Sequence, residues 1–298
     1  MHTLTGSSAP SLPPGFSYQS DRLTIEGIAL DTLATQYGTP LFIYSRAAML
    51  DALAAYQRGL QGREHLICYA MKANSNLAIL QTLVQAGCGL DIVSGGELER
   101  ALAVGVEPTR IIFSGVGKTC AEMRRALEAG IGCFNVESNA ELDVLDAVAQ
   151  SMGLRAPVSV RVNPNVDAKT HPYISTGLKG NKFGIAHENV LATYRHAASC
   201  AGLRVVGIDC HIGSQITDID PYLNALDRML DLVSAIEAAG VALEHLDLGG
   251  GLGIAGIGGD QVGAAEGLAY QYDGQGIDAA GRRTEDHQAG PEQGGGFH

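Results

Sequence analysis

The sequence lacks the features that mark nucleic-acid-binding and membrane-spanning proteins. Its 298 residues carry 20 Lys and Arg against 32 Asp and Glu, which gives a formal net charge of −12. Such an acidic chain is repelled by nucleic acids and by anionic membrane surfaces. It has no run of about 18 apolar residues, and no basic stretch followed by an apolar one near the N-terminus. We therefore predict no nucleic-acid partner, no membrane span and no signal peptide.

Cysteine spacings that would suggest a metal site or a disulfide framework are also missing. None of the six cysteines has CxxC spacing, and most of them lie inside apolar runs. This pattern favours reduced, buried thiols. It predicts a cytoplasmic protein without a bound metal.

What the sequence does contain is enough apolar residues for a sizeable core, since 46% of the chain is hydrophobic. Residues 1–21 are rich in Ser, Pro and Gly and are expected to form a disordered leader. Residues 22–60 form an N-terminal segment with one strand candidate, Leu41–Tyr44. Two helices are predicted beside it, at Ile28–Tyr37 and at Ser45–Leu60, where Ser45 is a plausible N-cap.

Residues 61–254 have a regular pattern in which apolar runs alternate with helical stretches. The runs are Leu66–Ala70, Leu90–Val93, Ile111–Phe113, Gly132–Val136, Val158–Val162, Val205–Cys210 and Leu246–Leu248. Alternating strands and helices predict a parallel sheet with right-handed crossovers. Both a (β/α)8 barrel and an open doubly wound sheet fit this alternation.

The ends of the seven strands favour the barrel. Nearly every strand finishes in polar or reactive side chains: Lys72, Asp91 with Ser94, Ser114, Asn135 with Glu137, Arg161 with Asn163, His211 with Ser214, and Asp247. In a TIM-type barrel all these carboxyl ends meet at one mouth, whereas an open sheet uses only those beside its switch point. The long interval that holds Thr170–Gly177 and Asn181–Ile185 is interpreted as a functional loop over this mouth.

The pattern stops after Ile254. Residues 255–298 include 12 glycines in 44 positions and five residues from Val, Ile, Leu, Met and Phe. We expect this Gly-rich tail to be mostly disordered. No strand is predicted in it, so the barrel would be incomplete, with about seven strands.

Lys72 directly follows the first barrel strand, in Tyr69-Ala70-Met71-Lys72-Ala73-Asn74. At the mouth of a buried strand, desolvation would favour the neutral, nucleophilic amine. The alternative is a lysine that merely extends to solvent, and spacing alone favours that alternative.

Further residues at the mouth change this balance. Gly249-Gly250-Gly251 and Ser214 can hold a phosphate group, and His211 offers a flat ring. Lysine, anion loop and aromatic platform together suggest pyridoxal phosphate, with the lysine bonded to its aldehyde. A Schiff-base aldolase that acts on a phosphosugar is the rival interpretation.

Several stretches resemble the diaminopimelate decarboxylases, which belong to the alanine-racemase-like pyridoxal phosphate enzymes together with the ornithine and arginine decarboxylases. The resemblance covers residues 22 to 254. It rests on the segments Tyr69–Asn74, His171–Gly177, Lys182–Gly184, His211–Gln215 and Asp247–Gly253. The segments His171–Gly177 and His211–Gln215 point to diaminopimelate decarboxylase within the group.

The resemblance implies a function and a set of site residues. Lys72 would be the Schiff-base lysine, His211 would stack on the cofactor ring, and Ser214 with Gly249, Gly250 and Gly251 would hold its phosphate. Asp91, Glu97 and Arg161 match positions that line the cofactor site. The implied reaction converts meso-2,6-diaminopimelate to L-lysine in lysine biosynthesis, and the implied assembly is a homodimer.

The sequence also departs from this family. The Glu-Pro-Gly-Arg motif of the last barrel strand and the β-domain that follows it do not appear after Ile254. We therefore expect a truncated or frameshifted chain that is weakly active or inactive as a decarboxylase. Two other functions stay open: another amino-acid decarboxylase or racemase of the same fold, and a non-catalytic barrel that binds the cofactor.

Overall fold

The computed structural model describes residues 12, 14–166, 183–253 and 268–272, the last range by its backbone alone. In the described ranges no helix combines the length and the apolar character that crossing a membrane requires. The predicted functional loop lies outside them, except for its last residues from Phe183 onward.

The N-terminal segment begins with a small antiparallel sheet made of β1 (Phe16–Gln19), β2 (Arg22–Ile25) and β3 (Ile28–Ala29). Strand β1 falls within residues that the sequence had suggested as a leader. Helices α1 (Leu30–Tyr37) and α2 (Arg46–Gly59) follow. Ser45 caps α2 as predicted, because its hydroxyl accepts the Ala48 N–H at 3.0 Å.

The prediction of a strand at Leu41–Tyr44 is wrong, since these residues form no strand. Three of them, Leu41, Phe42 and Tyr44, are exposed, and Phe42 is 84% exposed. The apolar run therefore has neither a pairing partner nor a core to enter.

Seven parallel strands form the main sheet, and all seven predicted runs are confirmed. The strands are β4 (His65–Ala70), β5 (Gly89–Ile92), β6 (Ile111–Phe113), β7 (Cys133–Val136), β8 (Ala156–Asn163), β10 (Leu203–Asp209) and β11 (His245–Gly249). The two-residue strand β9 (Ile185–Ala186) pairs in parallel with the end of β8. The helices between them are α3 (Leu77–Gln85), α4 (Gly95–Ala103), α5 (Cys120–Ala129), α6 (Asn139–Ser151), α7 (Val190–Ser199) and α8 (Asp220–Ala238).

Strand β8 pairs with both β7 and β10, so the seven parallel strands form one continuous sheet. A further strand, β12 (Leu268–Tyr272), lies between β11 and β4 and is antiparallel to both. The prediction that no strand follows residue 254 is therefore wrong. Among the described residues the parallel (β/α) pattern does end with the seventh strand, as predicted, and the eighth place is filled by a strand of opposite direction.

The hydrophobic core lies mainly between the strands and the surrounding helices. Alternate residues such as Val158, Val160 and Val162 of β8 belong to this core and are at most 1% exposed. The positions between them point into the barrel, because successive strand residues face opposite sides. Several of these inward positions are polar, namely Asn135, Ser159, Arg161, Asp209 and Asp247. The inward alternation of the strands thus supplies the chemistry at the barrel mouth.

Candidate active site

A cavity of about 400 Å³ lies at the carboxyl ends of the barrel strands, which we call the main cavity. This size is within the range of small-molecule sites. It is lined by Lys72, Asp91, Ser114, Asn135, Glu137, Arg161, His211, Ser214, Asp247, Gly249 and Gly250, among others. The polar strand ends identified in the sequence therefore do converge on one mouth.

Two predicted site residues stand apart from this lining. Glu97 lies in the first turn of α4, and its carboxylate accepts the Val93 N–H at 2.7 Å. Gly251 is buried behind the lining, where its carbonyl accepts the Ile216 N–H at 2.9 Å. Both residues shape segments that reach the main cavity without lining it.

Lys72 lies in the turn after β4 and contributes to the main cavity. Its side chain is exposed, so the expected desolvation of its amine is not present. Its charge reaches Asp91, where it helps to lower the pKa. The lysine thus stands at the open side of the cavity with a carboxyl group as its neighbour.

Asp91, at the end of β5, is a half-buried acid that lies within reach of the Lys72 charge. Burial raises the pKa of Asp91 to about 6, against the opposing effects of the Ser114 hydroxyl and the Lys72 charge. Ser114 Oγ donates to Asp91 Oδ1 at 2.6 Å. Near neutral pH Asp91 can therefore exchange a proton with little cost, as a group that handles protons must.

Asp247 ties the cavity floor to the glycine loop. Its Oδ1 accepts the Gly249 N–H at 2.7 Å, and its side chain also bonds Asn135. Burial raises the pKa of Asp247 to about 7. Asp209, its neighbour across β10 and β11, has a pKa raised by burial and by the Asp247 charge. Sequence patterns did not single out Asp209, although an acid inside an apolar run was a visible signal.

The glycine loop lies against the end of β10 so closely that side chains would not fit. A Cβ atom on Gly251 would stand 1.8 Å from the Gly213 carbonyl oxygen, and one on Gly249 would stand 2.5 Å from that of Cys210. Gly249 and Gly251 also have φ angles of 68° and 90°, which favour glycine. The loop is thereby held beside Ser214 as a bare backbone surface suited to a phosphate group.

His211 brings a neutral ring to the main cavity. Burial, with the charges of Arg161 and Lys72, lowers the pKa of His211 to about 3. The Gly250 N–H donates to His211 Nδ1 at 3.4 Å, which fits an uncharged ring whose Nδ1 is an acceptor. An uncharged imidazole is a suitable platform for an aromatic cofactor ring.

Arg161 and Glu137 form an ion pair in the wall of the main cavity. Arg161 Nη1 lies 3.0 Å from Glu137 Oε1, and the two side chains are 15% and 4% exposed. The Arg161 guanidinium also stands 5.2 Å from the centre of the Phe183 ring. The pair fixes a positive group in the cavity wall while its charge is balanced.

These residues fit pyridoxal phosphate. The molecule needs an amine for its aldehyde, donors for its phosphate and a flat neighbour for its ring. The main cavity offers Lys72, Ser214 with the glycine loop, and the neutral His211 for these three needs. The crowded Gly213–Gly251 contact also leaves backbone, rather than side chains, next to Ser214.

Comparisons with known proteins agree with this chemistry. Residues 46–270 match the sequence profile described as pyridoxal-dependent decarboxylase, pyridoxal binding domain. The diaminopimelate decarboxylases of Pseudomonas aeruginosa and Vibrio cholerae are 56% and 55% identical to 80% of this chain. The match covers 58% of each relative, so the chain spans somewhat more than half of their length.

Solved structures give the same result. Diaminopimelate decarboxylase from M. jannaschii, in complex with L-lysine, superposes with a TM-score of 0.78 at 38% identity, over 85% of this chain and 60% of that one. The enzyme from Helicobacter pylori, also in complex with L-lysine, gives 0.75 at 42% identity, over 80% and 60%. Fold, site and sequence agree, and the chain belongs to the pyridoxal-dependent decarboxylase family, of which it carries the pyridoxal-binding barrel.

Proposed function

We propose that the protein acts in the decarboxylation of meso-2,6-diaminopimelate to L-lysine, with Lys72 as the residue that bonds pyridoxal phosphate. The observation that carries the proposal is the shared cavity of Lys72, Ser214, His211 and the glycine loop. The substrate follows from the relatives, which are named diaminopimelate decarboxylases at up to 56% identity. It also fits the L-lysine in the complexes of two structural neighbours.

When bound, pyridoxal phosphate supplies an electron sink for the negative charge that loss of carbon dioxide leaves on the substrate. Lys72 would provide the amine that holds the cofactor. Asp91 stands beside Lys72, and its raised pKa of about 6 suits it to take and return the proton of that amine.

The remaining residues would bind the cofactor and orient it. Ser214, Gly249 and Gly250 hold the phosphate, and Gly251 keeps their loop in place by its contact with Gly213. His211 would offer its neutral ring as a platform for the cofactor ring. Arg161 keeps one wall of the cavity positive, and Glu97 supports the segment that follows Asp91 through its bond to Val93.

The proposal is tested by covalent trapping. The purified chain is incubated with pyridoxal phosphate, reduced with borohydride and digested, and the modified lysine is identified by mass spectrometry. We expect the label on Lys72 and none at that position in Lys72→Ala. We also expect meso-diaminopimelate to protect Lys72 from labelling, because its amino group competes for the cofactor.

A matched control is Lys118, which is fully buried and lies outside the main cavity lining. It should stay unlabelled. A label spread evenly over the lysines, or no label on Lys72, would count against the proposal. If meso-diaminopimelate does not reduce the labelling of Lys72, the part of the proposal that names it as the substrate is wrong.

We also propose a cytoplasmic location, supported by the cysteines. All six are free thiols, and four of them are buried. Such thiols are typical of a reducing compartment. Homodimer formation stays a prediction, which light scattering of the purified protein can test.

A further inference from the structure

A second cavity of about 370 Å³ lies behind the ion pair of the main cavity. Its lining includes Glu137, Ser138 and Asn139 at the start of α6, and Ile185, Asn189 and Thr193 at β9 and α7. Glu137 lines both cavities, whereas Thr193 lines only the second one. Thr193 therefore allows the second cavity to be changed without touching the main one.

Two buried polar atoms in this lining have no hydrogen-bond partner among the described residues. They are Glu137 Oε2 and Thr193 Oγ1. The Glu137 side chain is 4% exposed, and Thr193 is 1% exposed. Leaving a buried polar group unpaired costs on the order of 1–3 kcal/mol, and more for a charged one. A ligand that pairs with both atoms would recover that cost.

The amino end of α6 adds hydrogen-bond donors to the same cavity. The helix has 13 residues and begins at Asn139, directly after Ser138. The Ser138 hydroxyl accepts the Glu141 N–H at 3.1 Å, and the helix geometry leaves the N–H groups of Asn139 and Ala140 without an intrahelical acceptor. Such a helix end attracts carboxylates.

The cavity thus combines an acceptor carboxylate with donors for a second carboxylate. Because Glu137 is already paired with Arg161, a ligand with a net charge would upset the local balance. A zwitterion does not, since its ammonium group meets Glu137 Oε2 while its carboxylate meets the start of α6. We propose that the second cavity binds the head group of an α-amino acid, with Thr193 as a hydrogen-bonding residue of that site.

The test uses the purified full chain without pyridoxal phosphate, so it stands apart from the proposed reaction. L-alanine, acetate and methylammonium are titrated by calorimetry. L-alanine is expected to bind saturably, and neither single-charge probe to bind at the same concentrations. Thr193→Val should weaken L-alanine binding about 5-fold, the effect of one neutral hydrogen bond. Glu137→Gln should weaken it at least about 10-fold, since a charged partner is lost.

Ser214→Ala is the matched control, because Ser214 lines the main cavity alone. It should leave L-alanine binding unchanged. Absence of L-alanine binding would overturn the proposal, as would equal binding of acetate. Loss of binding in Ser214→Ala but not in Thr193→Val would place the ligand in the main cavity and also overturn it. Circular dichroism melts show whether each variant is folded, and removing an unpaired hydroxyl should not destabilise Thr193→Val.

The head group in the second cavity can belong to a separate amino acid or to one end of a longer molecule that also fills the main cavity, and a longer probe distinguishes the two. With meso-diaminopimelate as the probe, a separate amino-acid site is sensitive to Thr193→Val and insensitive to Ser214→Ala. A single molecule that spans both cavities is weakened by both substitutions. Either result supports the head-group site, and insensitivity to Thr193→Val contradicts it.

Discussion

A single buried ammonium group, that of Lys118, joins three segments at the rim of the main cavity. Lys118 Nζ donates to the Gly115 and Asn135 carbonyl oxygens and to Glu141 Oε1, at 2.6 to 2.7 Å. The other oxygen of Glu141 accepts the Glu137 N–H at 2.8 Å. Lys118 thus fixes the backbone that carries Glu137. Nothing in the sequence distinguished it from a surface lysine.

We predict that Lys118→Met lowers the free energy of unfolding by about 3–5 kcal/mol. Methionine keeps much of the volume but leaves the Glu141 carboxylate and two carbonyl groups without their donor. Urea denaturation measures the change. Glu99→Gln is the control, because it removes only the exposed pair with Arg125 and should cost at most about 1 kcal/mol. Equal effects of the two substitutions would contradict the role of Lys118.

At the scale of elements, three of the helices that follow the barrel strands, α4, α5 and α6, begin with the same kind of N-cap. Ser94, Thr119 and Ser138 each accept the N–H of a glutamate three residues later, namely Glu97, Glu122 and Glu141. Only Thr119 and Glu122 form the full reciprocal capping box. At Ser138 the same spacing gives only half of the box, because Glu141 bonds Glu137 and Lys118 instead of the Ser138 N–H. The Ser/Thr-x-x-Glu spacing thus fixes where each helix begins, whereas neighbours in space decide which groups the glutamate side chain bonds.

The close contact between Gly251 of the glycine loop and Gly213 can be tested by substitution. Gly251→Ala should reduce the affinity for pyridoxal phosphate, because its Cβ would collide with the Gly213 carbonyl oxygen and push the loop away from Ser214. We expect a loss of at least about 10-fold, the effect of one charge-assisted hydrogen bond. Fluorescence titration with the cofactor measures it.

Gly117→Ala is the control for this substitution. An added Cβ there has no atom within 4 Å in the described structure, and the φ angle is not in the left-handed region. The cofactor affinity should stay within about 2-fold of wild type, as expected for an open site. Equal affinity of the Gly251→Ala variant and the wild type would show that the loop does not hold the phosphate.

For the whole molecule, closure of the barrel depends on β12. Gln271 is paired in register with Asp247 of β11 and with Leu66 of β4. Gln271→Pro removes a backbone donor between two strands, so we predict a loss of unfolding free energy on the order of 2 kcal/mol. Gln271→Val keeps the donor and serves as the control in the same urea titration. If both variants match wild type, β12 does not contribute to the barrel in solution.

Acid should also destabilise the barrel through His245, at the amino end of β11. Burial lowers the pKa of His245 to about 4, and its Nε2 has no partner among the described residues. The unfolded chain therefore binds a proton that the folded chain does not, between about pH 6.5 and pH 4. The stability that this group contributes is complete above about pH 6.5 and is lost as the pH falls toward 4.

His245→Asn removes this titration. Its stability relative to wild type should rise by up to about 1.4 kcal/mol for each pH unit below 6.5. The comparison with wild type is needed because Asp91 and Asp247 act in the opposite sense. Their raised pKa values, about 6 and about 7, favour the folded state as the pH falls through the same range. Parallel stability curves for wild type and variant would contradict the prediction.

Local patterns in the sequence were enough to predict much of the fold and many of the residues that line the main cavity. The seven apolar runs became seven parallel strands, and Lys72, Asp91, Arg161, His211 and Ser214 reached one cavity. This worked because strand ends in a barrel converge, so position along the chain gives position in space. The strand at Leu268–Tyr272 escaped prediction because it pairs with segments far away in sequence and interrupts a glycine-rich stretch.

The sequence by itself determined the order of the seven parallel strands and their helices, and it predicted the glycine loop and Lys72 as cofactor-binding residues, since these depend on local patterns and a family resemblance. Only the tertiary structure decided that Lys118 is buried, that Asp209 and Asp247 are neighbours, and that Glu137 separates two cavities. Each of these depends on contacts between distant segments, and such contacts set burial, charge pairing and pKa.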